Sequence, residues 1–215
     1  MKTTNMSIGS LKYWAKSDNP RKYKEIMEKD VSYLVDSAIS TPRHYEIAKV
    51  IAKYKQGEFV YDKKTFFTIN DNCIWKKHND NTFFTGLCGH EITNIFKERS
   101  IYYTRLSMEC DEAIRPAHDE KAKKAFKIAE KLGDTPYCES LLKQMPALTL
   151  VDDFLETKLD ENEGLFAFNN CVFDMVKCEV RAIQPNDYIS ITTGCAYRDW
   201  ETDRKSTRLN SSHRL

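Results

Sequence analysis

Leu165-Phe166-Ala167-Phe168-Asn169-Asn170-Cys171-Val172-Phe173-Asp174 opens a stretch that runs on through Glu179-Val180-Arg181 to Pro185-Asn186-Asp187-Tyr188-Ile189-Ser190. Phe166, Phe168 and Val172 alternate about an Asn-Asn pair, the period of a chain that turns back on itself as a hairpin. Asp174 to Lys177 is a second turn candidate, so the stretch reads as a short β-meander. Everything upstream is richer in helical than in strand periodicity. The expected fold class is α+β, mostly helical, with a central β-hairpin and this C-terminal β-meander.

Working back from the meander, Asp134-Thr135-Pro136 starts a helix through Leu141, Leu142 and Met145, with Pro146 as its stop. Val151 to Leu155 reads as a short further helical turn. Asp119 to Leu132 is a Lys-rich helix with Ala122, Ala125, Phe126 and Ala129 as its apolar face, capped by Gly133. Ile92, Ile95, Phe96, Tyr102 and Tyr103 suggest another helix ending near Ser107, while Phe83 to Gly89 reads as irregular. Phe59-Val60-Tyr61 and Thr65-Phe66-Phe67-Thr68-Ile69 look like strands, and Asn70-Asp71-Asn72 turns into Cys73-Ile74-Trp75-Lys76-Lys77. Before them Thr41 and Pro42 are placed to start a helix whose stripe is Ile47, Ala48, Ile51 and Ala52, ended by Gly57. In the first 40 residues, Leu11, Trp14 and Ala15 share a helical face behind a Ser10 cap. Asn19-Pro20 then closes that helix and opens one carrying Tyr23, Ile26, Met27, Val31, Leu34 and Val35. The expected domains are a helical piece over 1–40, a larger domain over 41–197, and a tail over 198–215.

That tail stands apart. Asp203-Arg204-Lys205-Ser206-Thr207-Arg208-Leu209-Asn210-Ser211-Ser212-His213 back-translates, codon by codon, to a common short-read sequencing adapter. It is therefore read as an artefact, expected to be disordered, and is set aside from fold reasoning. Without Arg204, Lys205, Arg208, Arg214 and Asp203 the chain has 29 basic against 31 acidic residues, so its net charge moves from +1 to −2. A nucleic-acid role cannot then be argued from net charge. No run of about 18 apolar residues is present, so no membrane partner is expected. The seven cysteines are scattered with no Cys-x-x-Cys pair, which favours reduced thiols and an intracellular setting.

No Gly-x-x-x-x-Gly-Lys-Ser/Thr occurs, and without that cradle of backbone N–H groups and its lysine the chain is not expected to hydrolyse ATP. No catalytic and no metal-binding residues are assigned. Cys88-Gly89-His90-Glu91 sets a thiol beside an imidazole, but sequence neighbours seldom meet as a nucleophile–base pair. Asp152-Asp153 and Asp160-Glu161-Asn162-Glu163 are explained by a helix start and a loop as readily as by a metal. Lys121, Lys123, Lys124, Lys127 and Lys131 read as a solvated helix face. The set that points to DNA is Lys12, Lys16, Arg21, Lys22 and Lys24, interleaved with Tyr13, Trp14 and Tyr23. Cations that track phosphates beside aromatic rings that stack on bases are what single-stranded DNA requires. Core packing of Trp14 is the competing reading.

Two clusters carry a family resemblance. Ile8-Gly9-Ser10-Leu11, Trp14-Ala15-Lys16 and Asp18-Asn19-Pro20 form the first; the meander, with Phe168-Asn169-Asn170 and Pro185-Asn186-Asp187-Tyr188, forms the second. Together they resemble the primase–helicases of poxviruses, giant viruses and their phage relatives, in the region upstream of a superfamily-3 ATPase. The likeness spans about Met6 to Tyr197, with Cys171 and Cys178 standing where the family usually has turn glycines. It implies a non-catalytic fragment of a viral replicative primase–helicase, cut short of its ATPase, that aids ring assembly and DNA engagement. ATP and Mg²⁺ would serve the missing downstream domain and not this chain. The implied partners are DNA, bound weakly by the fragment alone, and further copies forming a hexameric ring. The implied location is the viral replication site, in the host cytoplasm. A stand-alone DNA-binding or protein-interaction module is the alternative.

Overall fold

The computed structural model describes residues 8–198. Their order is α1 (Ile8–Asp18), α2 (Pro20–Ser40), α3 (His44–Tyr54), β1 (Phe59–Asp62), β2 (Thr65–Ile69), β3 (Trp75–His78), α4 (Thr82–Leu87), a π-helical turn (Cys88–Ile92) and α5 (Thr93–Glu109). There follow α6 (Arg115–Lys131), α7 (Thr135–Leu142), α8 (Pro146–Thr149), α9 (Phe154–Thr157), β4 (Leu165–Ala167), β5 (Val172–Asp174), β6 (Glu179–Arg181) and a 3₁₀ turn (Pro185–Asp187). The fold is α+β and mostly helical, as the sequence indicates. The central hairpin gains a third strand, giving the order β1-β2-β3, and the meander forms as β4-β5-β6. The tail assigned to 198–215 lies, beyond Arg198, outside the described residues.

Two compact units divide the chain, one formed by residues up to Thr68 together with Lys77–Phe154, the other by Ile69–Lys76 and the chain from Leu155. The first is a helical body. Val35, Ile39, Ile47, Ile51, Phe84, Ile92, Phe96, Leu132, Leu141 and Met145 meet in one core cluster. Truncating one of its fully buried phenylalanines to alanine costs about 3–5 kcal/mol in comparable cores. Helices α5 and α6 pack along their length as a helical hairpin, tied by a hydrogen bond from Ser100 Oγ to the Ala122 carbonyl at 2.9 Å. The second unit buries Cys73, Trp75, Val172, Ile183 and Ile189. Trp75 stacks on Tyr188, and its backbone N–H donates to the Ile189 carbonyl at 2.7 Å.

Several local expectations give way. Thr41 does not open α3; its N–H closes α2 by donating to the Ser37 carbonyl at 2.9 Å. Pro42 disfavours a helical conformation in the residue before it, so α3 begins two residues later, at His44. Phe83 to Gly89 is helical rather than irregular. Phe84 and Cys88 are fully buried there, and that burial outweighs the poor helical propensity of Gly86 and Gly89. Pro146 starts α8 instead of only ending α7, since proline suits a first helical turn. On α6 the buried stripe is Ala122, Ala125, Ile128 and Ala129, while Phe126 is 48% exposed. On α1 it is Ser10 that is buried; Leu11, Trp14 and Ala15 are exposed. The side chain of Met27, expected to pack on the apolar face of α2, lies outside the described residues.

Candidate nucleic-acid interface

The end of α1 and the start of α2 present the cations singled out in the sequence. Asn19 caps α2, its Oδ1 accepting from the Lys22 N–H at 3.0 Å, and Pro20 fixes the first turn. That first turn contains no acidic residue. Arg21 and Lys22 therefore add positive charge where the helix dipole is already positive, an arrangement that repels cations and favours anions. Arg21 is almost wholly solvent-exposed, and its ion pair to Glu25 is long at 3.8 Å. Lys16 and Lys22 are exposed too. Trp14 is 41% exposed and so lies at the surface of α1 and not in the buried core.

Lys12 has a different place. Its ammonium reaches the end of α3 and donates to the carbonyls of Tyr54 at 3.2 Å and Lys53 at 3.5 Å. A cation there complements the negative end of the helix dipole and adds a donor to the last carbonyls of α3. Burial lowers its pKa, with Glu58 opposing that shift. Lys12 thus joins two helices, and its ammonium is turned inward toward α3 instead of toward solvent. The Lys24 side chain lies outside the described residues.

Beside these residues a cleft of about 600 Å³ opens in the first unit. Its charged lining is mixed, with Lys16, Lys55 and Arg99 against Glu58, Glu91 and Glu98. Lys55 is bound by Glu91 at 2.8 Å and Glu58 at 3.4 Å. Burial works against its charge, but the two carboxylates outweigh it and raise its pKa. Tyr23 is pushed up to about 12, first by burial and then by Glu58. Lys55 and Arg99 are thus matched by carboxylates, and a cation so matched makes a poor phosphate ligand.

The cleft's far wall contains a network that no sequence motif announced. Arg99 grips Asp36 with two hydrogen bonds, Nε to Oδ1 at 2.6 Å and Nη2 to Oδ2, and Tyr103 adds its hydroxyl to Oδ1 at 2.8 Å. The guanidinium also lies over the rings of Tyr102 and Tyr103 at 4.3 and 5.1 Å. Sixty-three positions separate Asp36 from Arg99, and nothing local in either helix marks them as partners.

The other candidate chemistry resolves into structure. Cys88 is fully buried in the π-helical turn beside Cys138, and burial raises its pKa, whereas His90 is exposed. The two do not form a nucleophile–base pair. Thr93 Oγ1 donates to the Cys88 carbonyl at 2.8 Å, adding to the π-type bond that this carbonyl accepts from the Thr93 N–H. Asp160 accepts from the N–H groups of Ser190 at 2.7 Å and Ile191 at 3.2 Å, a loop clamp within the second unit. Asp153 lies 3.9 Å from Lys63. Among the described residues no group of three or more His, Cys, Asp or Glu side chains is arranged to hold a metal, and no helix is long and apolar enough to cross a membrane.

The model of the D5 N-terminal-like family matches residues 48–209. The chain belongs to that family. It is also 26% identical over 211 residues to the "Putative helicase L207/L206" of Acanthamoeba polyphaga mimivirus, an alignment covering 94% of this chain and 21% of that protein. The chain spans about a fifth of the length of the curated relative it matches. These matches bear out the resemblance drawn from the two sequence clusters, as far as the N-terminal region of D5-type primase–helicases. In this D5 N-terminal-like chain the meander residues have local roles. Asp174 Oδ1 accepts from the Val176 and Lys177 N–H groups, both at 3.1 Å, and so shapes the second turn. Asp187 accepts from both terminal nitrogens of Arg181 at 2.7 and 2.8 Å and from the Gln184 N–H at 2.7 Å.

Proposed function

We propose that this chain is the segment preceding a superfamily-3 ATPase in a viral primase–helicase, and that it engages DNA without performing catalysis. The observation that carries the reading is the exposed set Lys16, Arg21 and Lys22 beside a half-exposed Trp14, gathered at the acid-free start of α2. The cations track phosphates and the indole stacks on a base, a combination suited to single strands and indifferent to sequence. With a net charge close to zero, only this local patch attracts the polyanion, so binding is weak and salt-sensitive. ATP and Mg²⁺ belong to the downstream ATPase, and the replication site in the infected cell is where the parent protein acts.

Self-association into a hexameric ring is the second part of the proposal. Phe166, Phe173 and Val180 stand in register across β4, β5 and β6 and so share one face of the meander. Phe166 is 50% and Val180 42% exposed, an apolar ladder that supports subunit contact. One such ladder is small, so the fragment alone is monomeric or weakly associating at micromolar concentration. Fusion to the ATPase restores the ring.

Fluorescence anisotropy with a mixed-sequence single-stranded oligonucleotide tests the DNA reading. Arg21→Gln/Lys22→Gln is expected to weaken binding and to lower the salt slope by about 0.7 for each phosphate that is no longer neutralised. Unchanged binding would refute it. Light scattering tests assembly: a tight dimer of the fragment, unaltered by adding the ATPase, would favour a stand-alone interaction module.

A further inference from the structure

Strands β1 and β2 pair antiparallel from Phe59↔Thr68 to Asp62↔Thr65, which leaves a two-residue loop of Lys63 and Lys64. Both residues have positive φ, 45° and 66°. The right-handed strand twist demands that conformation at both central positions, and Asn-Gly or Asp-Gly usually supplies it. A side chain on Cβ makes it unfavourable, and lysine lacks the short polar side chain that eases the strain for Asn or Asp. Lys63 and Lys64 are exposed, so burial does not account for their presence. Strain retained at a tip that the fold itself would fill better with Asn-Gly points to a role for the two ammonium groups.

We infer that the Lys63-Lys64 tip is a second phosphate-binding point for single-stranded nucleic acid, resting on the DNA reading above and additional to the Lys16, Arg21 and Lys22 patch. A two-residue hairpin fixes the backbone that carries the two lysines at adjacent positions, while their flexible stems can follow a phosphate backbone. Asp153 is one counter-charge at the tip: it lies 3.9 Å from Lys63, and both side chains keep much of their exposure, so solvent screens their attraction. Lys64 forms no ion pair with another described residue, and it binds phosphate the more strongly of the two.

The test exploits opposite signs. Lys63→Asn/Lys64→Gly relieves the backbone and removes both charges, so the thermal midpoint is expected to rise while affinity for a mixed-sequence oligonucleotide falls. The loss is on the order of tenfold at low salt, with the salt slope reduced by about 0.7 per lysine. Lys63→Arg/Lys64→Arg keeps the charges and is expected to keep the affinity, and Asp153→Asn to raise it. Lys64→Gly alone supplies the same readout should the double variant fold poorly. If the uncharged tip binds like the unaltered chain while Arg21→Gln/Lys22→Gln binds weakly, the tip inference falls and the DNA reading stands. If the unaltered chain shows no salt-sensitive binding, both fall.

Discussion

Replacing Asp36 by alanine is expected to be among the more damaging single changes outside the apolar core. The carboxylate accepts two hydrogen bonds from Arg99 and one from the Tyr103 hydroxyl. Its removal leaves the guanidinium without its carboxylate, with the Tyr103 oxygen as its neighbouring acceptor, and leaves the phenol proton without Asp36 to accept it. Breaking a fully buried pair costs about 3–5 kcal/mol, and a hydrogen bond to a charged group contributes about 1.5–3 kcal/mol. Here the side chains of Arg99 and Asp36 keep about a fifth and a third of their exposure, so water takes up part of the loss. An expected cost of about 2–3 kcal/mol follows, which lowers the melting temperature of a chain this size by about 5–10 °C. Asp36→Asn retains one acceptor oxygen and should lose about half as much. Urea denaturation followed by circular dichroism measures both. Combined with Arg99→Met, the Asp36→Ala loss should be partly recovered, with a coupling of about 1–2 kcal/mol. An Asp36→Ala protein within about 0.5 kcal/mol of the unaltered chain would show that the network is ornamental and that apolar packing alone joins α2 to α5.

Tyr103 gives the same network a pH signature. Burial, then its hydrogen bond to Asp36, pushes its pKa to about 12, above the value of 10 it has when unfolded. The folded state therefore holds the phenolic proton more tightly, and this contribution is complete below pH 10 and lost as pH rises to about 12; Tyr103→Phe should flatten that alkaline limb in a pH series of urea midpoints. Lys12→Ala removes the cation from the end of α3 and should cost about 1 kcal/mol by thermal denaturation, yet leave oligonucleotide affinity unchanged. Cys178 has a φ of 55°, so Cys178→Gly should stabilise the meander by about 1 kcal/mol. Cys171 keeps a negative φ and is buried, so Cys171→Gly should destabilise it, and paired melting curves check the opposed signs. No ATP turnover is expected from the purified chain, since its seven glycines never form a phosphate-binding loop; DNA-stimulated hydrolysis above a mock preparation would contradict this.

The contrast between those two cysteines shows where sequence reasoning reaches and where it stops. Both stand where turn glycines are usual, and the pattern alone does not separate them. Only the register does: Phe168 N–H donates to the Cys171 carbonyl at 2.8 Å across a turn that needs no left-handed residue, while the Asp174–Glu179 turn places Cys178 in that region. The meander itself is legible because period-two alternation and turn residues are local signals. The helices are legible for the same reason, and their misplaced ends have local causes: a C-cap mistaken for an N-cap at Thr41, and glycines weighed above the burial of Phe84 and Cys88.

The candidate interface is legible in composition but not in direction. A run of cations within thirteen residues does not say that Lys12 turns toward α3 and caps it, because its acceptors lie more than forty positions away. Nor does it say that Trp14 faces outward. Helical periodicity puts Trp14 with Leu11 and Ala15 on an apolar face, and all three are exposed because α1 packs instead through Ser10, with Lys12 and Tyr13 half-buried beside it. The same packing that turns Lys12 toward α3 leaves Trp14 at the surface of α1. A polyanion site on a nearly neutral chain depends on such sorting, since each cation committed to a carbonyl or a carboxylate is withdrawn from phosphate. Lys55 and Arg99 are committed in this way; Arg21 and Lys22, lacking an acidic residue in their own helical turn, remain the better placed for DNA.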